Sequence, residues 1–161
     1  MSVFQYEKDA DGIVTVTMDM TGPVNAINAE YNEAMEETVS RLESEKDLSG
    51  VVFASAKKVF FAGADLKELI QADSSDKDKI FQNGETIKGQ FRRLEKLPVP
   101  IVAAINGPAL GGGYELSLAC NHRIAYNHKS VQIGLPECSL GLYPACLLYT
   151  SDAADETEGG G

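Results

Sequence analysis

Two short unbroken apolar runs, Val51–Ala54 and Ile101–Ile105, constrain this chain more than any other feature. Each is too short for a helix and carries no polar alternation, so each suits a strand covered on both faces, as in a parallel sheet. Parallel strands need a long crossover between them, and the intervening sequence offers one. Ile80, Ile87, Phe91, Leu94 and Leu97 mark a helix that Pro98 ends, although Gly84 and Gly89 weaken its middle. Before the first run, Ile27, Tyr31, Met35, Val39 and Leu42 recur at spacings of three and four, behind Asn28 as an N-cap. Strands that alternate with helices in this way predict an α/β layered fold.

The remaining segments are shorter. Phe4–Lys8 and Ile13–Asp19 flank the turn signal Asp9-Ala10-Asp11-Gly12 and predict a hairpin, with Val14, Val16 and Met18 on one face. Leu66–Ile70 predicts one or two helical turns, and Asp73–Lys79 a polar, mobile connection. Leu116–Cys120 reads as helix, and Arg123–Tyr126 and Val131–Ile133 as short strands. Val51–Ala54, Ile101–Ile105 and Leu116–Leu118 are apolar surface that packing must cover.

Chemistry concentrates between Pro98 and Pro144. Gly111-Gly112-Gly113 stands directly before a helical pattern that holds Glu115, and Glu137 follows after Gly134-Leu135-Pro136. Glycines without a Cβ let another atom approach the main chain, and the first-turn N–H groups of a helix are free to receive negative charge. A backbone donor site thus lies beside one acid, with a second acid downstream. Taken singly, each piece has a bland reading: a turn, a carboxylate favoured by the helix dipole, an acid after a proline.

The formal net charge of the 161 residues is −10, which argues against a nucleic-acid footprint. Residues 145–161 hold Asp152, Asp155, Glu156 and Glu158 and no Lys or Arg, so −10 becomes −6 without them. No apolar run is long enough to span a membrane, and the N-terminus is not expected to be a signal peptide. Cys120, Cys138 and Cys146 show no metal spacing and read as free thiols. His122 and His128 read as structural or surface residues. No metal is expected.

Phe60-Phe61-Ala62-Gly63-Ala64-Asp65-Leu66, Ile105–Glu115 and Ile133-Gly134-Leu135-Pro136-Glu137, in that order, resemble the enoyl-CoA hydratase/isomerase (crotonase) family. The wording Ala119-Cys120-Asn121-His122-Arg123 is similar to the hydratase portion of bifunctional fatty-acid-oxidation α subunits, where a 3-hydroxyacyl-CoA dehydrogenase domain follows. The resemblance implies a crotonase-like spiral of ββα units, C-terminally truncated, over residues 1–144. It implies that the Ala64 and Gly112 N–H groups form an oxyanion hole for a thioester carbonyl. It implies that Glu115 and Glu137 hold and activate water, and that Ala62, Gly63, Asp65 and Leu66 border the substrate. Lys57 and Lys58 read as solvated charges or, more sharply, as contacts to coenzyme A phosphates.

The implied reaction is hydration of a 2-enoyl-CoA in fatty-acid β-oxidation, with enoyl-CoA isomerisation or non-catalytic acyl-CoA binding as alternatives. Two acids favour hydration, because a proton shuttle between C2 and C4 can use one. No cofactor is expected for hydration, and NAD only if a dehydrogenase domain follows. The resemblance also implies a homo-oligomer or a complex with a thiolase subunit, in a bacterial cytoplasm. After Pro144 the family pattern stops. Ala145 to Glu156 resembles translated sequencing-adapter sequence, so 145–161 is expected to be a non-native tail and the chain as written to be inactive, with Val51–Ala54, Ile101–Ile105 and Leu116–Leu118 exposed for want of the later helices that the resemblance implies.

Overall fold

The structure, a computed structural model, describes residues 2–64 and 73–140. The expected helical turns at Leu66–Ile70 and the tail at 145–161 lie outside the described residues. Strands β1 (Phe4–Lys8) and β2 (Ile13–Met18) form the expected antiparallel hairpin, with Phe4 opposite Met18 and Lys8 opposite Val14. Helix α1 (Ala29–Ser44) then leads to β3 (Gly50–Ser55). Helix α2 (Lys77–Glu95) leads to β4 (Ile101–Ile105). After β5 (Ala109–Leu110), α3 (Gly112–Ala119) and β6 (His122–Ala125), β7 (Ile133–Gly134) and a 3-10 turn at Pro136–Leu140 follow.

One five-stranded sheet runs β1-β2-β3-β4-β6, parallel from β2 onward. Its register puts Val14, Val51 and Ile101 side by side, and next to them Val16, Phe53 and Ala103. All six are buried on the face that α1 and α2 cover. Asn28 caps α1 by accepting the Tyr31 amide at 2.9 Å. Tyr31, Met35, Val39 and Leu42 are then at most 1% exposed, each burial contributing about 1.5–3 kcal/mol.

Three expectations change. Asp73–Lys79 is not a mobile connection: Asp73 accepts the Ser75 amide, Asp76 reaches back to the Asp73 amide, and this capping box closes a 3-10 turn at Ser74–Asp76 that runs into α2 at Lys77. Gly84 and Gly89 are accommodated because the helix is anchored on its other side by Ile87, Phe91 and Leu94. The apolar runs are also not left open. Val51, Phe53, Ile101, Ile105 and Leu116 are at most 1% exposed, since α1 and α2 already cover that face. Of the residues expected to be exposed, Leu118 is so at 40%, and the other exposed apolar side chains include Phe81, Ile124, Tyr126, Ile80 and Ile133.

Candidate active site

A second, smaller layer stands apart from the main sheet. Strand β5 pairs in parallel with β7, Ala109 beside Ile133 and Leu110 beside Gly134. On its other side Phe61 bridges to Ala109, and beyond that Ile27 bridges to Ala64, both in parallel. Four strips therefore run the same way: 25–27, 61–64, 109–110 and 133–134. The sequence-predicted residues lie at or just past their C-terminal ends: Ala64, then Gly112 and Glu115, then Glu137. Ligands of parallel layers bind at that end, because the loops there diverge.

The strip at 61–64 is fixed from both sides. Ala62 N donates to Asn25 O at 2.8 Å, and Ile27 N to Gly63 O at 2.8 Å. Phe61 N donates to Pro108 O, and Leu110 N to Phe61 O, both at 3.1 Å. The carbonyl of the Gly63–Ala64 peptide thus faces Ile27. In a planar trans peptide the N–H points the opposite way, so the Ala64 N–H faces away from Ile27. Gly63 adopts φ +87°, and a Cβ there would lie 3.0 Å from Leu110 O and 3.6 Å from Gly112 N. Only glycine lets the 61–64 strip meet the start of α3 this closely.

Gly112 opens α3 behind Gly111, whose φ is +54°. Tyr114 N and Glu115 N both turn back to Gly111 O, at 2.8 and 3.0 Å. The N–H groups of Gly112 and Gly113 lie in the first turn, where a helix supplies no acceptor of its own. Gly112 is packed from behind by Ile27, whose Cδ1 would be 2.3 Å from an added Cβ.

Both acids converge on this turn. A Cβ on Gly111 would sit 2.7 Å from Glu137 Oε1, and one on Gly112 would sit 3.9 Å from Glu115 Oε2. Glu115 is 1% exposed. Glu137 Oε2 is buried and has no hydrogen-bond partner among the described residues. Burial, chiefly, and the neighbouring Glu115 carboxyl push the Glu137 pKa up, against the opposing pull of its own backbone N–H. The pair therefore offers a carboxyl whose pKa is pushed up beside a second acid, next to the first-turn amide donors of α3. That set can stabilise an oxyanion and move protons to and from water.

The other predicted residues divide. Ala62 and Gly63 lie in the strip itself, while Asp65 and Leu66 fall outside the described residues. Lys57 Nζ contacts Asp19 Oδ1 at 2.6 Å, so its charge is met within the chain, and Lys58 is exposed. His128 Nδ1 meets Ser130 Oγ at 2.8 Å on the surface, away from these elements. Cys120 is a buried free thiol whose pKa burial raises to about 12. No group of three or more His, Cys, Asp or Glu among the described residues is arranged to hold a metal ion. No described helix is long and apolar enough to cross a membrane.

Sequence reasoning missed Asn25 and the packing role of Ile27, and it placed Gly111 in the glycine turn without its contact to Glu137. Thr21-Gly22-Pro23 reads only as a strand breaker, yet the polar Asn25 that follows, among small apolar residues, was the available signal.

Comparison with known proteins agrees with this arrangement. A family model described as enoyl-CoA hydratase/isomerase matches residues 8–151. The fatty acid oxidation complex subunit alpha of Psychrobacter sp. (strain PRwf-1) is 42% identical over 135 residues, covering 83% of this chain and 18% of that protein. The corresponding subunit of Shewanella halifaxensis is 37% identical over 144 residues, covering 88% of this chain and 20% of that protein. The chain thus spans about a fifth of these relatives' length. Among solved structures, an enoyl-CoA hydratase from Bacillus anthracis superposes with a TM-score of 0.79 at 30% identity, over 89% of this chain and 54% of that one. One from Geobacillus kaustophilus gives 0.81 at 26% identity, over 91% and 53%. The fold is crotonase-like.

Proposed function

Because the chain belongs to the enoyl-CoA hydratase/isomerase family, we propose that its site adds water across the 2,3 double bond of a 2-enoyl-CoA thioester. The observation that carries this reading is the convergence of two carboxyls, Glu115 and Glu137, on the Gly111–Gly112 turn beside the Gly63–Ala64 peptide.

Addition at C3 drives negative charge onto the thioester oxygen. The N–H groups of Ala64 and Gly112 receive that charge, and one such preorganised donor is typically worth about 10²–10³ in rate. Gly112 adds the positive end of the α3 dipole. Glu115 takes a proton from water as the water oxygen bonds to C3. Glu137, whose pKa its burial raises, gives its proton to C2. The proton returns from Glu115 to Glu137 before the next turnover, so water is consumed and neither acid is changed. A merely isomerising site would need one proton carrier; the presence of two supports hydration.

The relatives named as α subunits of a fatty acid oxidation complex support fatty-acid β-oxidation within a larger assembly as the setting; a thiolase subunit as partner and a bacterial cytoplasm are part of this proposal. An NAD-dependent dehydrogenase activity would belong to the longer protein and not to this site. Ala62, Gly63, Asp65 and Leu66 would border the acyl thioester. The test is loss of the enoyl-thioester absorbance when the full-length protein is mixed with crotonyl-CoA. Hydration that disappears in Glu115→Gln and Glu137→Gln supports the reading, and turnover unaffected by either substitution overturns it.

A further inference from the structure

Asn25 is fully buried, at 0% exposure, and nothing in the two-acid chemistry uses it. Its Oδ1 accepts the Met20 amide at 3.1 Å. That bond fixes the orientation of the side-chain amide, because only an oxygen can accept there. Nδ2 therefore faces three acceptors: Ser55 Oγ at 2.9 Å, Phe60 O at 3.2 Å and Met18 O at 3.3 Å. Ser55 Oγ in turn donates to Val59 O at 2.8 Å and accepts the Lys57 amide at 3.0 Å. The Asn25 main-chain carbonyl receives Ala62 N.

One residue thus ties the ends of β2 and β3 to the segment 59–62, which runs straight into the Gly63–Ala64 peptide. The Asn25 bonds to Met18, Met20 and Phe60 are buried and those through Ser55 Oγ partly buried, which limits their replacement by bulk water. We propose that Asn25 is a positioning residue for the oxyanion hole. It sets the distance of the 61–64 strip from the main sheet, and so the place of the Ala64 N–H relative to that of Gly112. It touches no substrate. The proposal rests on the hydration reading above, since it concerns the placement of a donor for the thioester oxygen.

The substitution Asn25→Asp keeps the acceptor for Met20 and the size of the side chain. It replaces the donating amide by a carboxyl that offers one proton when neutral and none when ionised. Thr38→Val serves as the control. Thr38 is also buried, at 4% exposure, but among the described residues its hydroxyl bonds to Ala34 O, one turn back in α1. Ser55→Ala is a milder second variant that removes one acceptor of the Asn25 amide without leaving a buried charge.

Three readouts are taken on the full-length protein, with folding checked by circular dichroism: kcat, KM for crotonyl-CoA, and the carbonyl stretch of bound butyryl-CoA, which has no double bond to hydrate. Asn25→Asp is expected to lose about tenfold or more in kcat relative to Thr38→Val at little change in KM, the loss growing as pH rises and the carboxyl ionises. The bound carbonyl should move back toward its solution frequency, and Ser55→Ala should show a smaller change of the same kind. If Asn25→Asp and Ser55→Ala match Thr38→Val in kcat and carbonyl frequency while the wild type hydrates, the positioning role is overturned and the hydration reading stands. A wild type that neither hydrates crotonyl-CoA nor polarises the bound carbonyl overturns the hydration reading, and this proposal with it.

Discussion

Glu137 Oε1 occupies the space that a side chain on Gly111 would need: a Cβ built on Gly111 would lie 2.7 Å from it. The second acid of the site is thereby seated directly against the turn that begins α3. Gly111→Ala is expected to misplace Glu137 and to strain a backbone at φ +54° that favours glycine, costing about 1–3 kcal/mol. Crotonyl-CoA hydration should fall by about tenfold or more with KM less affected. A folded Gly111→Ala protein with unchanged kcat would show that the carboxyl does not need this seat. Gly112→Pro makes the complementary case. It deletes the N–H proposed to meet the thioester oxygen without changing either acid, and its added Cβ requires the end of the Ile27 side chain to shift; turnover should vanish in a protein whose circular dichroism is unchanged.

Glu137 predicts its own pH signature. Its folded-state pKa lies above the ordinary 4.5, so between those two values the folded protein binds more protons than the unfolded one. Stability from this group is present at low pH and is lost as pH rises through the raised value. Glu137→Gln removes that loss. The melting temperature of Glu137→Gln minus that of wild type should therefore increase from pH 4 to pH 8, while kcat for hydration collapses at every pH. A difference that stays flat with pH would contradict the raised pKa.

Lys57 and Lys58 separate two readings by substrate length. Lys57 is held by Asp19 at 2.6 Å, and Lys58 projects from the same loop. As contacts to coenzyme A phosphates, Lys57→Ala and Lys58→Ala raise KM for crotonyl-CoA but not for crotonyl-pantetheine, which has no nucleotide phosphates. An equal change for both thioesters assigns the lysines to the loop's structure alone.

Arg93 joins the two helices that cover the sheet. Its guanidinium contacts Glu36 Oε1 at 2.6 Å and Glu43 Oε2 at 2.7 Å. The bonds to Arg93 hold both carboxyls below their usual range. These groups are partly exposed, so Arg93→Ala should cost about 1 kcal/mol or less per pair. That corresponds to a fall of roughly 2–4 °C per kcal/mol in melting temperature. The stabilisation is present above the ordinary carboxylate pKa and is lost as pH falls through the depressed values. Calorimetry in high salt should shrink the difference, and crotonyl-CoA turnover should not change.

The repeating features were legible in the sequence. The spacing of Tyr31, Met35, Val39 and Leu42, the cap at Asn28 and the alternation of Val14, Val16 and Met18 all act over a few residues. Local pattern was therefore enough to identify α1 and the hairpin. The order of the glycine and glutamate motifs carried the family and the site. The Asp73 capping box was also local, but its side-chain bonds were hidden in a polar segment that resembled a loop. Tertiary structure alone decided that Ile27 backs Gly112, that Asn25 ties β2 and β3 to the 61–64 strip, and that Glu137 comes to rest on Gly111. Apart from the short-range bonds of Asn25 to Met18 and Met20, those pairs are separated by 26 to 85 positions, and their contacts exist only once four short strips from distant parts of the chain are hydrogen-bonded into one layer. The covering of Val51–Ala54 and Ile101–Ile105 was decided in the same way. A run's hydrophobicity shows that it must be buried, whereas what buries it depends on where α1 and α2 cross the sheet.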